Sequence, residues 1–89
     1  MPVYVDSLRD HGWRLGPSCH LAADTLAELH AFAERLGLRR EWFQAGRNPH
    51  YDLTAKRRAM AVAMGAVETD GRGVVEACRR CKAREDGRR

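Results

Sequence analysis

Hydrophobic and polar positions alternate in short stretches at the start of the chain and recur at helical spacing from residue 26 onward. Val3 and Val5 fall on one side of an extended segment and Tyr4 and Asp6 on the other, which predicts a short strand over residues 3–6. Ser7 to Pro17 holds Asp10, Gly12, Gly16 and Pro17 and reads as a loop, from which Trp13 is expected to fold back onto the core. Ser18-Cys19-His20-Leu21 forms a second strand, with Cys19 and Leu21 facing opposite to His20. Thr25 and Glu28 have capping-box spacing, and Asp24 ahead of them adds charge that suits the positive end of a helix dipole. Leu26, Leu29, Ala33 and Leu36 repeat at helical intervals, Phe32 widens the stripe, and Gly37 is a left-handed stop. A helix over 26–36 follows.

Beyond it, Trp42-Phe43-Gln44 is expected to be a third strand or an extended segment packed on that helix. Gly46 to Pro49 is loop, because Pro49 biases Asn48 away from helical angles. Thr54 caps a second helix over 55–64, closed by Gly65. Residues 66–69 make a last short strand, residues 74–83 a third helix, and residues 84–89 a frayed, disordered charged tail. The order β-β-α-β-α-(β)-α predicts one small domain over residues 1–83, of α/β or α+β class. It has a short three- to four-stranded sheet with two or three helices packed on it.

Several blocks in this order resemble a known family. They are YVD at Tyr4 to Asp6, CHLAADTLAELHAFAERLGL from Cys19 to Leu38, EWFQ at Glu41 to Gln44, HYDLT at His50 to Thr54, and an ending with Arg57, Gly65 and Ala66. Together they are similar to a small bacterial and bacteriophage family, the domain of unknown function 4031. The resemblance covers about residues 2–68, with Cys19 and everything after Gly71 outside the pattern. It implies no particular activity.

Length limits what the chain can build. At 10.1 kDa, area scaling gives roughly 5,300 Å² of folded surface against about 14,600 Å² unfolded, enough for one modest core and a shallow pocket. With no apolar run near membrane-spanning length and no signal peptide, the cytoplasm is the default location and a membrane is not an expected partner. Three cysteines, an odd number, argue against a secreted disulfide scaffold. Net charge is +4 and unevenly spread. Residues 1–38 carry three Arg against five Asp/Glu, whereas residues 39–60 carry six Lys/Arg against Glu41 and Asp52. The positive field peaks there and favours an anionic partner.

That same stretch gathers the candidate chemistry. His50 and Asp52 lie two apart and point the same way from an extended segment, with Tyr51 opposite. His20 and Asp24 flank a strand-to-helix turn and Asp6 ends the first strand, where open sheets collect ligands. Imidazoles and carboxylates suit zinc, manganese or iron, and equally acid–base work on a phosphate or glycosidic substrate. His20, His50 and Asp52 are therefore the candidate catalytic and metal-binding residues, with zinc or manganese as cofactor. His30, at the flank of the apolar stripe, reads instead as a half-buried, hydrogen-bonded histidine.

Lys56, Arg57 and Arg58 oppose the dipole of the second helix, which makes sense if an anion docks at its start. Of Trp42, Phe43 and Tyr51, one is expected in the core and another free to stack on a base or sugar. Cys78 and Cys81, with Cys19 and His20, could make four zinc ligands, but their i, i+3 placement inside a helix favours buried thiols. The leading expectation is a module that binds a phosphate-bearing ligand, nucleotide or nucleic acid through Asp6, His20, His50, Tyr51, Asp52 and Arg57, with Arg58, Trp42 and Gln44 beside them. A metal-assisted hydrolase or nuclease using the same His and Asp residues is the alternative. A protein-interaction unit or homo-oligomer is the third, since short sheets leave edges to pair.

Overall fold

Alternation decides the sheet. β1 (Val3–Val5) and β2 (Ser18–Ala23) pair antiparallel, with Tyr4 opposite Ala22 and Val5 opposite Leu21. β3 (Tyr51–Thr54) pairs antiparallel on the far side of β2, and β4 (Val67–Glu68) lies parallel to β1, giving the order β3-β2-β1-β4. A computed structural model describes residues 2–87. In it three helices complete an α+β domain: α1 (Leu26–Arg35), α2 (Ala55–Ala63) and α3 (Gly71–Asp86).

The period of two sorts side chains onto two faces. Val3, Val5, Cys19, Leu21, Tyr51 and Leu53 point one way and pack with Leu29, Phe32, Ala33 and Leu36 around α1 and with Ala61 of α2. Tyr4 and Ala22 point the other way, against Val74, Ala77 and Cys78 of α3. Leu21, Leu29 and Leu53 are fully buried, and each such burial contributes about 1.5–3 kcal/mol. Truncating Leu29 to Ala removes that and leaves a hole under α1, at about 2–5 kcal/mol.

Local signals fix the helix ends. The Thr25 hydroxyl accepts from the Glu28 N–H at 3.1 Å, the N-cap expected from the spacing, while the Glu28 carboxylate meets that hydroxyl at 2.9 Å rather than the Thr25 backbone N–H that completes a capping box. Gly37, at φ +77°, turns the chain so that the Leu38 N–H reaches back to the Ala33 carbonyl. The Asp70 carboxylate accepts from the Gly73 N–H at 2.9 Å, which starts α3 at Gly71, three residues ahead of the expected Val74. Gly73 is needed there: a Cβ would lie 2.0 Å from Thr69 Oγ1.

Three expectations are corrected. Trp42-Phe43-Gln44 is not a strand: Arg40–Trp42 form a 3-10 turn, while Phe43 is extended and packs on the core, as the alternative had it, and Gln44 bridges to His50. The third strand is Tyr51–Thr54, whose Tyr51 and Leu53 alternate inward with Asp52 outward. Trp13 does not fold into the core and stays 37% exposed. The tail assigned to residues 84–89 is helical through Asp86, with a Lys82–Asp86 ion pair on one face at 3.5 Å. Residues 88 and 89 lie outside the described part of the chain. No described helix is long and apolar enough to cross a membrane.

Candidate metal centre

Register places the first three groups. His20 on β2 is directly opposite Asp52 on β3, and Asp6 lies one step beyond the Val5–Leu21 pair, beside His20 from the β1 side. All three stand on the sheet face that α3 covers only in part. His50 joins from the loop before β3. Gln44 and His50 exchange two backbone hydrogen bonds (2.9 and 3.1 Å), which close residues 45–49 into a tight loop. Pro49 in that loop is buried, and the Cys78 thiol of α3 lies 3.4 Å from its carbonyl, so α3 supports the loop from behind.

Each imidazole has its inner nitrogen tied to a group that can only accept. His20 Nδ1 lies 2.8 Å from Asp6 Oδ2, and the His20 backbone N–H donates to Asp6 Oδ1 at 2.7 Å. His50 Nδ1 lies 2.6 Å from the Asn48 carbonyl. A carboxylate and a carbonyl have no proton to give, so in both rings the neutral form carries its hydrogen on Nδ1. Both rings then present Nε2 as a lone pair, the tautomer that ligates metals. Both Nε2 atoms approach one oxygen: Asp52 Oδ1 is 3.4 Å from His50 Nε2 and 4.0 Å from His20 Nε2. The other Asp52 oxygen accepts from Gln44 Nε2 at 2.7 Å.

The ligating atoms of His20, His50 and Asp52 lie within 4.8 Å of one another. Two ligands of a tetrahedral zinc ion sit about 3.3–3.5 Å apart given bond lengths near 2.0–2.2 Å, so modest side-chain rotation closes the set on an ion. A divalent cation held here would have the carboxylates of Asp6 and Asp52 to offset its charge. Two histidines and one carboxylate also leave coordination positions open on the solvent side. A cavity of about 260 Å³ adjoins the three side chains, and its rim includes His11, Trp13 and Ser18.

Next to it lies a larger cavity of about 480 Å³, sharing Trp13, Gln44 and Asp52 with the first and walled by Leu15, Trp42 and Arg57. Trp42 is 48% exposed, with the Arg39 guanidinium 5.9 Å from its ring. Arg57 donates to the Leu36 carbonyl at the end of α1, where a cation suits the helix dipole, and its backbone N–H donates to Thr54 Oγ1 at 3.2 Å. Among the described residues no carboxylate lies within ion-pair distance of Arg57.

The structure thus brings together His20, His50, Asp52 and Gln44, with Trp42 and Arg57 alongside. It removes three other residues from the ligand surface. Tyr51 points to the opposite face, 1% exposed, its hydroxyl 2.8 Å from His30 Nδ1 and its ring packed on Phe43, so it cannot stack on a ligand at the site. Burial raises the Tyr51 phenol and lowers the His30 imidazole, with Arg40 adding to the latter. Arg58 is spent internally: its Nε donates to the Asp6 carbonyl at 2.8 Å and its guanidinium pairs with Glu68 at 3.1 Å. Asp6, 7% exposed, stands behind His20 and acts through it.

The four-residue Cys/His zinc set is also excluded by the sheet. Cys19 faces α1 and Cys78 faces the opposite layer, so the strand itself separates them. All three cysteines are free and buried. Burial, then the nearby Asp6 charge, pushes the Cys19 thiol up to about 12, and burial with Cys81 pushes Cys78 up to about 11. The loop residues His11, Trp13 and Leu15 were missed by sequence reasoning, although two large apolar residues inside a glycine-rich loop are a signal in themselves.

Fold and site together define a small α+β domain with a two-histidine, one-carboxylate cluster on an open sheet face. The chain belongs to the family described as Protein of unknown function (DUF4031), whose model matches residues 3–81. That match extends past Gly71 into α3, beyond residue 68, and covers the positions of Cys19, Cys78 and Cys81. No curated protein and no solved structure matches the chain.

Proposed function

We propose that this protein binds a divalent transition metal, zinc or manganese, through His20 Nε2, His50 Nε2 and Asp52 Oδ1, and uses it to hold a phosphate-bearing ligand. The observation that carries the reading is the convergence of two imidazoles on one carboxylate. Two histidines from separate elements each have Nδ1 held by an acceptor, and both bring Nε2 within 4.0 Å of the same carboxylate oxygen. A histidine serving only as a packing or capping residue has no need of a second one aimed at the same point. A bound ion would supply Lewis acidity to a phosphate oxygen in its open positions. Arg57, without a carboxylate partner among the described residues, adds a guanidinium for the same anion.

Hydrolysis is the second reading, favoured by the cavity that adjoins His20, His50 and Asp52. Water would add to phosphorus, the ester P–O bond would break, and the water proton would leave with the alkoxide. The binding claim is tested by metal analysis of protein purified without a histidine tag after dialysis against Zn(II) or Mn(II). About one equivalent is expected for the wild type, and Asp52→Ala or His20→Ala should lose most of it. A wild-type content below about a tenth of an equivalent overturns the proposal.

A further inference from the structure

The 480 Å³ cavity beside the cluster has a composition that the metal reading does not explain. Its volume falls within the range of about 300–1,000 Å³ typical of small-molecule sites, whereas the metal-side cavity alone does not. It is lined by both tryptophans of the chain, Trp13 from the loop between β1 and β2 and Trp42 from the 3-10 turn after α1. Leu15, 57% exposed, and Leu38 extend the apolar wall. Trp13, Trp42 and Leu15 keep 37%, 48% and 57% of their surface exposed around it, apolar area that would gain by further burial. Polar groups are few and confined to the β3 side: Asp52 and Gln44 at the metal, Thr54 and Arg57 further along. Asp52 and Thr54 are two residues apart on one strand, about 6.6 Å by strand rise.

We propose that this cavity is a nucleoside monophosphate subsite. The base lies against Trp13 and Trp42, and the phosphate reaches along β3 to Arg57 and the metal. Flat aromatic walls accept any base by stacking, and Arg57, which also donates to the Leu36 carbonyl, supplies the anion's counter-charge. An aliphatic phosphate would use Arg57 and leave the indoles idle. A long strand of nucleic acid would call for a continuous row of cations, and the cavity offers one. The proposal rests on the metal-centre reading for the second phosphate contact, but its base contacts do not.

Because the only two tryptophans line this cavity, indole fluorescence reports its occupancy directly. Tagless protein loaded with Zn(II) is titrated with AMP, adenosine and ribose 5-phosphate, and then with AMP after EDTA treatment. Saturable quenching by AMP is expected, with Trp42→Ala weakening AMP roughly five- to hundredfold, since one stacking surface is lost. Ribose 5-phosphate should bind at least about fivefold more weakly than AMP for the same reason. Trp42 is half exposed, so this variant keeps the fold, as circular dichroism would verify. Metal bound at one equivalent without saturable AMP quenching overturns the subsite while leaving the metal centre standing. So does AMP binding that Trp42→Ala leaves unchanged. Saturable AMP binding that survives EDTA in a protein that takes up no metal supports the subsite and removes the centre.

Discussion

Asp6→Asn separates positioning from packing most cleanly. Asp6 is 7% exposed, and both of its oxygens serve His20: Oδ1 takes the backbone N–H at 2.7 Å and Oδ2 faces Nδ1 at 2.8 Å. Asparagine keeps the first bond but turns an NH₂ toward the ring. His20 can meet that donor only by giving up its Nδ1 hydrogen, which moves the proton to Nε2 and puts it in the metal position. Loss of one charge-assisted hydrogen bond at a buried carboxylate costs about 1.5–3 kcal/mol of stability. Loss of the group orienting a ligating histidine should weaken metal binding about 10- to 100-fold. Urea unfolding of the metal-free protein and chelator competition for Zn(II) measure the two separately. Asp52→Asn is the contrast: its carboxylate is 40% exposed, so stability should move by less than about 0.5 kcal/mol while Zn(II) affinity falls at least as far. If Asp6→Asn lowers stability as stated but leaves Zn(II) affinity within about twofold of wild type, the carboxylate only anchors a strand end and the reasoning fails.

Other consequences are independent of the metal. Gly73→Ala should destabilise, because the clash with Thr69, at about 1–3 kcal/mol, outweighs the roughly 1 kcal/mol that alanine gains inside a helix; a more stable variant in urea would contradict this. The thiols of Cys19, Cys78 and Cys81, all buried and raised, should react with a disulfide reagent at neutral pH only as fast as the domain unfolds. Rapid modification of native protein would refute that. His30 is lowered from 6.5 in the folded state, so the unfolded chain takes the proton first. Stability is then retained above pH 6.5 and lost as pH falls through the folded value. The urea midpoint of wild type should drop across that window more than that of His30→Gln, and parallel curves would show the burial effect to be absent.

The helices were legible because their ends carry short-range signals. Thr25 with Glu28, Gly37, Thr54 and Gly65 each act within a few residues, and α1 and α2 begin where those signals place them. α3 begins ahead of Val74 because Asp70 caps it, and an aspartate followed by Gly71 and Gly73 is equally a turn signal. The third strand was displaced because Trp42-Phe43-Gln44 and Tyr51 to Thr54 are both rich in β-formers. Only the partner strand decides between them: Leu21, Cys19 and their neighbours on β2 pair with Tyr51 to Thr54. The period of two was sufficient to set His50 and Asp52 together and Tyr51 apart. It could not say which side faces the core, and so Tyr51 was assigned to the ligand. The inner partners of the histidines are further from sequence reasoning still. Asp6 meets His20 across 14 residues, and Arg58 meets the Asp6 carbonyl across 52.

The most direct measurement is an anomalous difference map from a crystal of the tagless protein grown with Zn(II). One peak bonded to His20 Nε2, His50 Nε2 and Asp52 Oδ1 at about 2.0–2.2 Å is the predicted result. A map with no peak there, or with zinc only at other histidines such as His11 or His30, would contradict the account.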